Sequence, residues 1–153
     1  MIGMFIDLVR KRKTKRKYSD RRLDKEEMEL IMEAGDKAPT SRNLRPVRLV
    51  PVTIRDKIKE LETCKDSGAE ALRTATYAVV VAADPTVSDT WVEDASIAAI
   101  FMQLEAEDLD IGSCWIQVHL RSAGDVSAED NVKRILGLDP KLRVVAIVSF
   151  GKV

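Results

Sequence analysis

The run Tyr77-Ala-Val-Val-Val-Ala-Ala83 contains no charge and no turn former. A strand that is apolar at every position, rather than at alternate ones, must be covered on both faces. The stretch from Lys141 to Phe150 is apolar at almost every residue and makes the same demand. Two such strands place a sheet in the middle of three layers, with helices on either side. The chain has 153 residues, 45% of them hydrophobic. That suffices for one domain, residues 1–153, with a core of ordinary size.

The remaining elements follow from local signals. Ile2 to Arg10 predicts a short amphipathic helix with Phe5, Leu8 and Val9 on one side. Lys11 to Tyr18 reads as a basic turn or extended connection. Leu23-Asp24-x-x-Glu27 is a hydrophobic residue, an N-cap and a capping box, opening a helix to about Lys37 with Leu23, Met28, Ile31 and Met32 inward. Ala38 to Pro46 is a loop bounded by prolines. Arg48 to Thr53 predicts a strand, Ile54 to Glu62 a helix and Ser67 to Thr74 a second short helix. Trp91 to Leu109 is the longest helix, Ala-rich and apolar at Ala95, Ala98, Ala99, Met102, Leu104 and Ala106, hence packed on more than one side. Its opening acids Glu93 and Asp94 suit a helix N-terminus. Ile111 to Val118 predicts another strand, and Ser127-x-x-Asp130 caps a helix to Leu136. The order implies an α+β or α/β domain with a mixed sheet of about four strands. A Rossmann fold is disfavoured, because neither G-x-G-x-x-G nor G-x-x-x-x-G-K-[ST] occurs.

Charge is balanced overall but unevenly placed. Nine cations between Arg10 and Arg22 face the single acid Asp20, in a chain of net charge zero. Cys64 and Cys114 fit no zinc or redox spacing, and with one histidine, His119, no metal site is expected. Cys114 reads as a small buried residue. No apolar run approaches the ~20 residues of a membrane span. The apolar start contains Asp7 and lacks a basic n-region, so the expected location is cytoplasmic, without membrane contact.

Two segments carry chemistry. Arg12-Lys13-Thr14-Lys15-Arg16 joins cations to a hydroxyl, a donor set suited to a phosphate monoester. The same segment also reads as a solvated basic face or a nucleic-acid arm. Lack of interleaved aromatics and the acidic balance elsewhere speak against nucleic acid. Pro39-Thr40-Ser41-Arg42-Asn43 holds two hydroxyls, a guanidinium and a carboxamide on restrained backbone. An asparagine both donates and accepts, as a heterocycle edge requires. The alternative is a polar turn that satisfies its own backbone.

Together the segments resemble motifs of the nitroreductase family. Arg12-Lys13-Thr14-Lys15-Arg16-Lys17-Tyr18 is similar to Arg-Arg-Ser-x-Arg-x-aromatic. Ala38-Pro39-Thr40-Ser41-Arg42-Asn43-Leu44-Arg45-Pro46 is similar to Ala-Pro-Ser-x-x-Asn-x-x-Pro. Leu109-Asp110-Ile111-Gly112-Ser113-Cys114-Trp115-Ile116-Gln117 follows the Ala-rich helix like Gly-Leu-Gly-Ser-x-Trp. Leu136-Gly137-Leu138 and Ser149-Phe150-Gly151 complete the pattern, which covers nearly the whole chain.

The resemblance implies an α+β three-layer fold with a mixed, mainly antiparallel, central sheet flanked by helices. It implies bound FMN, with Arg12, Lys13, Thr14 and Arg16 at the phosphate and ribityl chain. Pro39, Thr40, Ser41 and Asn43 would reach the ring from the other subunit of a homodimer. Trp115, Ile116, Gln117 and Val118 would line the ring, largely through backbone. Relatives take a Lys or Arg from the region between Pro46 and Tyr77 to the pyrimidine carbonyl, and Arg45 is the nearest substitute noted. The implied activity is NAD(P)H oxidation through FMN to a nitroaromatic, quinone or related small-molecule acceptor, with no catalytic side chain because the cofactor carries the chemistry. A flavin-binding protein without turnover is the alternative. His119 reads as structural or pocket-lining. The acidic run Glu105 to Asp110 reads as a solvated face or as the mate of a partner's basic segment.

Overall fold

The computed structural model describes residues 3–153. In chain order the elements are α1 (Met4–Lys11), α2 (Lys25–Asp36), β1 (Val47–Val52), α3 (Arg55–Glu60), β2 (Tyr77–Ala83), α4 (Trp91–Asp108), β3 (Ile111–Gln117), β4 (Ser122–Ala123), β5 (Val126–Ser127), α5 (Ala128–Leu136) and β6 (Arg143–Lys152). The expected start of the first helix at Ile2 lies outside the described residues. Asp24 and Glu27 form the expected reciprocal capping box, and Ser127 accepts from the Asp130 N–H to open α5.

Two expected helices are shorter than their patterns. The one from Ile54 tightens into a 3-10 turn at Leu61–Cys64. The segment Ser67 to Thr74 forms only a 3-10 turn, Glu70–Arg73; Gly68, at φ 89, is outside helical backbone, and its N–H donates to the Glu70 carboxylate at 3.1 Å. The β4–β5 hairpin was not expected. It turns on Gly124 and Asp125, with Gly124 at φ 57, the conformation a two-residue hairpin loop needs.

The main sheet has the order β1-β2-β6-β3, and each neighbouring pair is antiparallel. Parallel pairing enters, among the described residues, only at the isolated bridge between Thr14 and Ser113. Period-two alternation sends Ala78, Val80 and Ala82 to one face, against Ile58, Leu61, Leu72, Val132 and Ile135 of α3, the 3-10 turns and α5. Tyr77, Val79 and Val81 go to the other face, against Ile31 of α2 and Ala95, Ala99 and Met102 of α4. Every residue of β2 is buried, as its run requires. Each fully buried Val or Ile contributes about 1.5–3 kcal/mol by leaving water. The alanines of α4 let its backbone approach the sheet closely. With β1 and β2 on one side and β6 between them, β3 is left as an edge strand, and the chain following α1 runs along it.

Candidate functional site

The basic segment leaves α1 at Arg12, whose N–H donates to the Leu8 carbonyl at 2.9 Å. It meets the outer edge of β3 at the Thr14–Ser113 bridge, where the Lys15 N–H donates to the Ser113 carbonyl at 3.0 Å. Tyr18 anchors the far end. Its hydroxyl bonds to the Lys15 carbonyl and to Ser149 Oγ at 2.9 Å, and its N–H donates to Thr74 Oγ1 at 3.0 Å. Burial pushes the phenol pKa above its ordinary range, so it stays a neutral donor. The ring lies on Gly151, where an added Cβ would stand 2.4 Å from Tyr18 Cβ and Cγ. The aromatic of the first motif is thus the clamp that holds the cations in place.

Lys11, at the end of α1, pairs within its own chain: its Nζ lies 3.0 Å from Asp110 and 3.9 Å from Glu107. The acidic end of α4 therefore pairs within the chain. Arg12, Lys13, Lys15 and Arg16 make no ion pair among the described residues. Arg12 is half-buried, while Lys13, Thr14 and Arg16 are exposed.

Ser113 turns its carbonyl outward to Lys15, so by alternation the main-chain groups of Trp115 and Gln117 face the same open edge. Their side chains are half-buried and linked: Trp115 Nε1 donates to Gln117 Oε1 at 3.0 Å, and Gln117 Nε2 donates to the His119 carbonyl at 2.8 Å. Ile116 and Val118 point into the core, and the Val118 N–H is spent on the Val145 carbonyl at 3.2 Å. The structure brings Trp115 and Gln117 to the edge, and leaves Ile116 and Val118 behind it.

His119 closes the strand in a cluster at its end. Its Nδ1 is 3.2 Å from Glu129 Oε2, and its ring meets the Trp91 ring edge-on at 5.5 Å. Arg143 binds Glu129 through two bonds, at 2.9 and 3.0 Å, and lies 4.7 Å over Trp91. Burial alone would raise the Glu129 pKa. The Arg143 guanidinium, the Val144 N–H and His119 outweigh it and hold the carboxyl down to about 2.

The proline-bounded loop is built differently. The Ser41 N–H donates to Asp94 Oδ1 at 3.2 Å, and Thr90 Oγ1 donates to Asp94 Oδ2 at 3.1 Å. Asp94 is thus the post on which the loop hangs, beyond its place at the helix N-terminus. Thr40 Oγ1 accepts from the Arg45 N–H at 3.0 Å. Arg42, Asn43 and Arg45 hold left-handed backbone at φ 55, 55 and 57. Pro39, Ser41 and Asn43 are exposed, and Thr40 is half-buried. The loop is fastened to the first turn of α4, and the basic segment to its last. The 18 residues of α4 set these ends about 27 Å apart. One chain does not bring the two segments together.

Arg45, the substitute for the basic contact, is spent elsewhere: Nη2 donates to the Asp36 carbonyl at 2.8 Å and Nη1 reaches Asn43 Oδ1 at 3.5 Å. Lys65 is the residue that sequence reasoning missed. It is 9% exposed and makes no ion pair among the described residues. Burial pushes its ammonium pKa down, with Arg121 adding to the effect and Glu70 opposing it. Lys65 follows Cys64, which shares a core cluster with Cys114 of β3. No sequence pattern marks a lysine as buried. An apolar surface completes the inventory: Met4, Phe5 and Val9 of α1 and Ile97, Ile100 and Phe101 of α4 are exposed.

Helices on both faces of an antiparallel sheet and a basic segment along one strand edge define a small α+β protein with an anion-suited edge. Residues 9–84 and 59–152 match the family model described as "Nitroreductase family", and the chain belongs to that family. A curated protein of Archaeoglobus fulgidus, named "Putative NADH dehydrogenase/NAD(P)H nitroreductase", is 32% identical over 150 residues, 95% of this chain and 83% of its own length. A solved structure described as an FMN-dependent nitroreductase from Clostridium difficile R20291 superposes with a TM-score of 0.94 at 37% identity, covering 97% of this chain and 87% of that one. A structure from Parabacteroides distasonis, with the same printed name as the Archaeoglobus protein, gives a TM-score of 0.89 at 28% identity, covering 98% and 87%. No helix of the described residues is long and apolar enough to cross a membrane.

Proposed function

We propose that this chain is a cytoplasmic FMN-dependent oxidoreductase, active as a homodimer. It passes electrons from NAD(P)H to a nitroaromatic, quinone or related acceptor. The observation that carries this reading is the set of cations Arg12, Lys13 and Arg16, without ion pairs among the described residues, on a segment held along the open edge of β3, with Lys65 nearly buried and likewise without an ion pair. A lysine with most of its surface removed from water and no ion pair carries a desolvation cost that an anionic or carbonyl-bearing ligand would offset. The donor set suits FMN: a phosphate for the cations and Thr14, and a flat heterocycle with carbonyls for the strand edge and Lys65.

FMN, when bound, supplies the chemistry by taking a hydride from the nicotinamide and releasing electrons to the acceptor. The chain's own groups bind, orient and polarise. Arg12 and Arg16 present planar forks to phosphate oxygens, and Lys13 and Thr14 add a charge and a hydroxyl. The outward main-chain groups of Trp115 and Gln117 would hydrogen-bond the ring, and the Trp115–Gln117–His119 links steady that edge. Lys65 would add a positive charge beside the bound ring, favouring its reduced, more negative form. No side chain is required as nucleophile or general base.

Pro39, Thr40, Ser41 and Asn43 complete the site from the partner subunit, because α4 keeps them too far from their own chain's basic segment. The exposed apolar face of α1 and α4 supports the pairing, since burying it removes Phe5, Ile100 and Phe101 from water. Mixed dimers test this arrangement. One chain carries Arg12→Ala with Arg16→Ala, and the other carries Asn43→Ala. If each site draws on both chains, the mixed dimer has one intact site and binds one flavin tightly. Two weakened sites and no intact one would show that loop and basic segment of one chain serve the same flavin, and would overturn the arrangement.

A further inference from the structure

Between β3 and the β4–β5 hairpin the chain turns at Val118 to Arg121, closed by the Arg121 N–H donating to the Val118 carbonyl at 3.1 Å. Leu120 occupies the third position of this turn with φ 65. That left-handed backbone crowds any Cβ and is ordinarily given to glycine or asparagine. The chain follows the rule elsewhere. Gly3, Gly68, Gly124 and Gly137 have positive φ, and the other residues that share it are Arg42, Asn43, Arg45 and Asp110, all polar. Leu120 is the one apolar side chain among the described residues with this conformation.

Packing does not account for it, since Leu120 is 79% exposed. Nor can it relax, because both neighbours are tied. His119 is held by Glu129, by Trp91 and by Gln117 on its carbonyl. The Arg121 carbonyl accepts from the Ala128 N–H at 2.8 Å, and its guanidinium donates to the Leu120 carbonyl at 3.2 Å. A strained residue fixed by its surroundings, with its side chain in solvent, points to a role for that side chain outside the fold. Its position shows which role. Leu120 lies three residues beyond Gln117, in the turn that follows the end of β3, and so stands at the end of the edge assigned to the flavin.

We propose that Leu120 is a specificity-determining residue, the apolar wall of the acceptor pocket, and that it favours flat apolar acceptors over compact hydrophilic ones. The proposal rests on the flavin reading above. The fixed turn holds the isobutyl group against the face of an aromatic acceptor, and no rearrangement is needed on binding.

Leu120→Gly and Leu120→Asn test it, since both residues accept the backbone. In the flavin-free protein, Leu120→Gly is expected to raise the thermal midpoint by relieving the Cβ. In the flavin-loaded dimer, kcat/KM for a naphthoquinone is expected to fall about tenfold or more in both variants, while that for ferricyanide changes less than about twofold. Unchanged quinone kinetics at full flavin occupancy would overturn the proposal. So would dissociation of either variant to monomers on gel filtration, which would assign Leu120 to the contact with a second copy. A wild-type protein that takes up no flavin would overturn the reading beneath it, a result visible in the spectrum before any kinetics.

Discussion

Gly151→Ala tests how the basic segment is held. Gly151 lies in β6, beneath the buried ring of Tyr18, and an added Cβ would stand 2.4 Å from Tyr18 Cβ and Cγ and 2.8 Å from Cδ1. These atoms belong to the base of the side chain, so no flexible end can swing away. The ring is also fixed by its hydroxyl on Ser149 and the Lys15 carbonyl. Either the strand or the basic segment must shift. Overpacking of this kind costs about 2 kcal/mol. For a chain of this size that lowers the melting temperature by about 4–8 °C. Thermal unfolding followed by circular dichroism reads this directly. In a Tyr18→Gly background the same substitution is expected to cost little, because both the Cβ and the ring it strikes are gone. Flavin affinity should fall with the single substitution, since Tyr18 fixes the segment that carries Arg12 and Arg16. A Gly151→Ala protein that melts within about 1 °C of wild type would show that Tyr18 is not clamped between segment and sheet.

Other substitutions address the charges. Arg12→Ala with Arg16→Ala is expected to weaken FMN binding about 100-fold or more, at about 1.5 kcal/mol for each charge-assisted contact, with melting unchanged; fluorescence titration measures it. Lys65→Met should raise the melting temperature of the flavin-free protein, by removing a partly desolvated ammonium that has no ion pair, and should weaken flavin binding; a lower melting temperature would mean that Lys65 has a structural partner. Glu129→Gln should flatten the acid limb of the stability profile. The fold depresses the Glu129 pKa from 4.5 to about 2, so its stabilisation is complete above about pH 5 and is lost as pH falls toward 2. A shift of that size corresponds to about 3 kcal/mol, and urea unfolding across this range checks the slope.

Much of the fold was legible because its signals are local or nearly so. The continuous apolar run set β2 at Tyr77 to Ala83 without error, and Asp24 with Glu27 and Ser127 with Asp130 marked helix starts through bonds made within one turn. The hairpin at Gly124 was missed because two-residue strands show no periodicity, although Gly124-Asp125 carried a turn signal. The acids at the end of α4 were left open between solvent and a partner, and tertiary structure gave them Lys11. Asp94 was readable as a helix-start acid but not as the post for Ser41, a contact across 53 positions of sequence. The site divides in the same way. The cations and the proline-bounded loop were visible as donor sets, and β3 followed from its pattern. The burial of Lys65 and the left-handed turn at Leu120 depend on packing that no residue pattern announces. Nor could the sequence show that Ile116 and Val118 turn inward while Trp115 and Gln117 turn out, because that choice depends on which face and edge β6 covers.

The central claim is that FMN occupies the open edge of β3, between two copies of the chain. The visible absorbance spectrum of the purified protein, taken after incubation with FMN and desalting, tests it most directly. A retained flavin spectrum at about one per subunit, lost in the Arg12→Ala with Arg16→Ala protein, is the result the account predicts. A wild-type protein that emerges colourless and folded would contradict it.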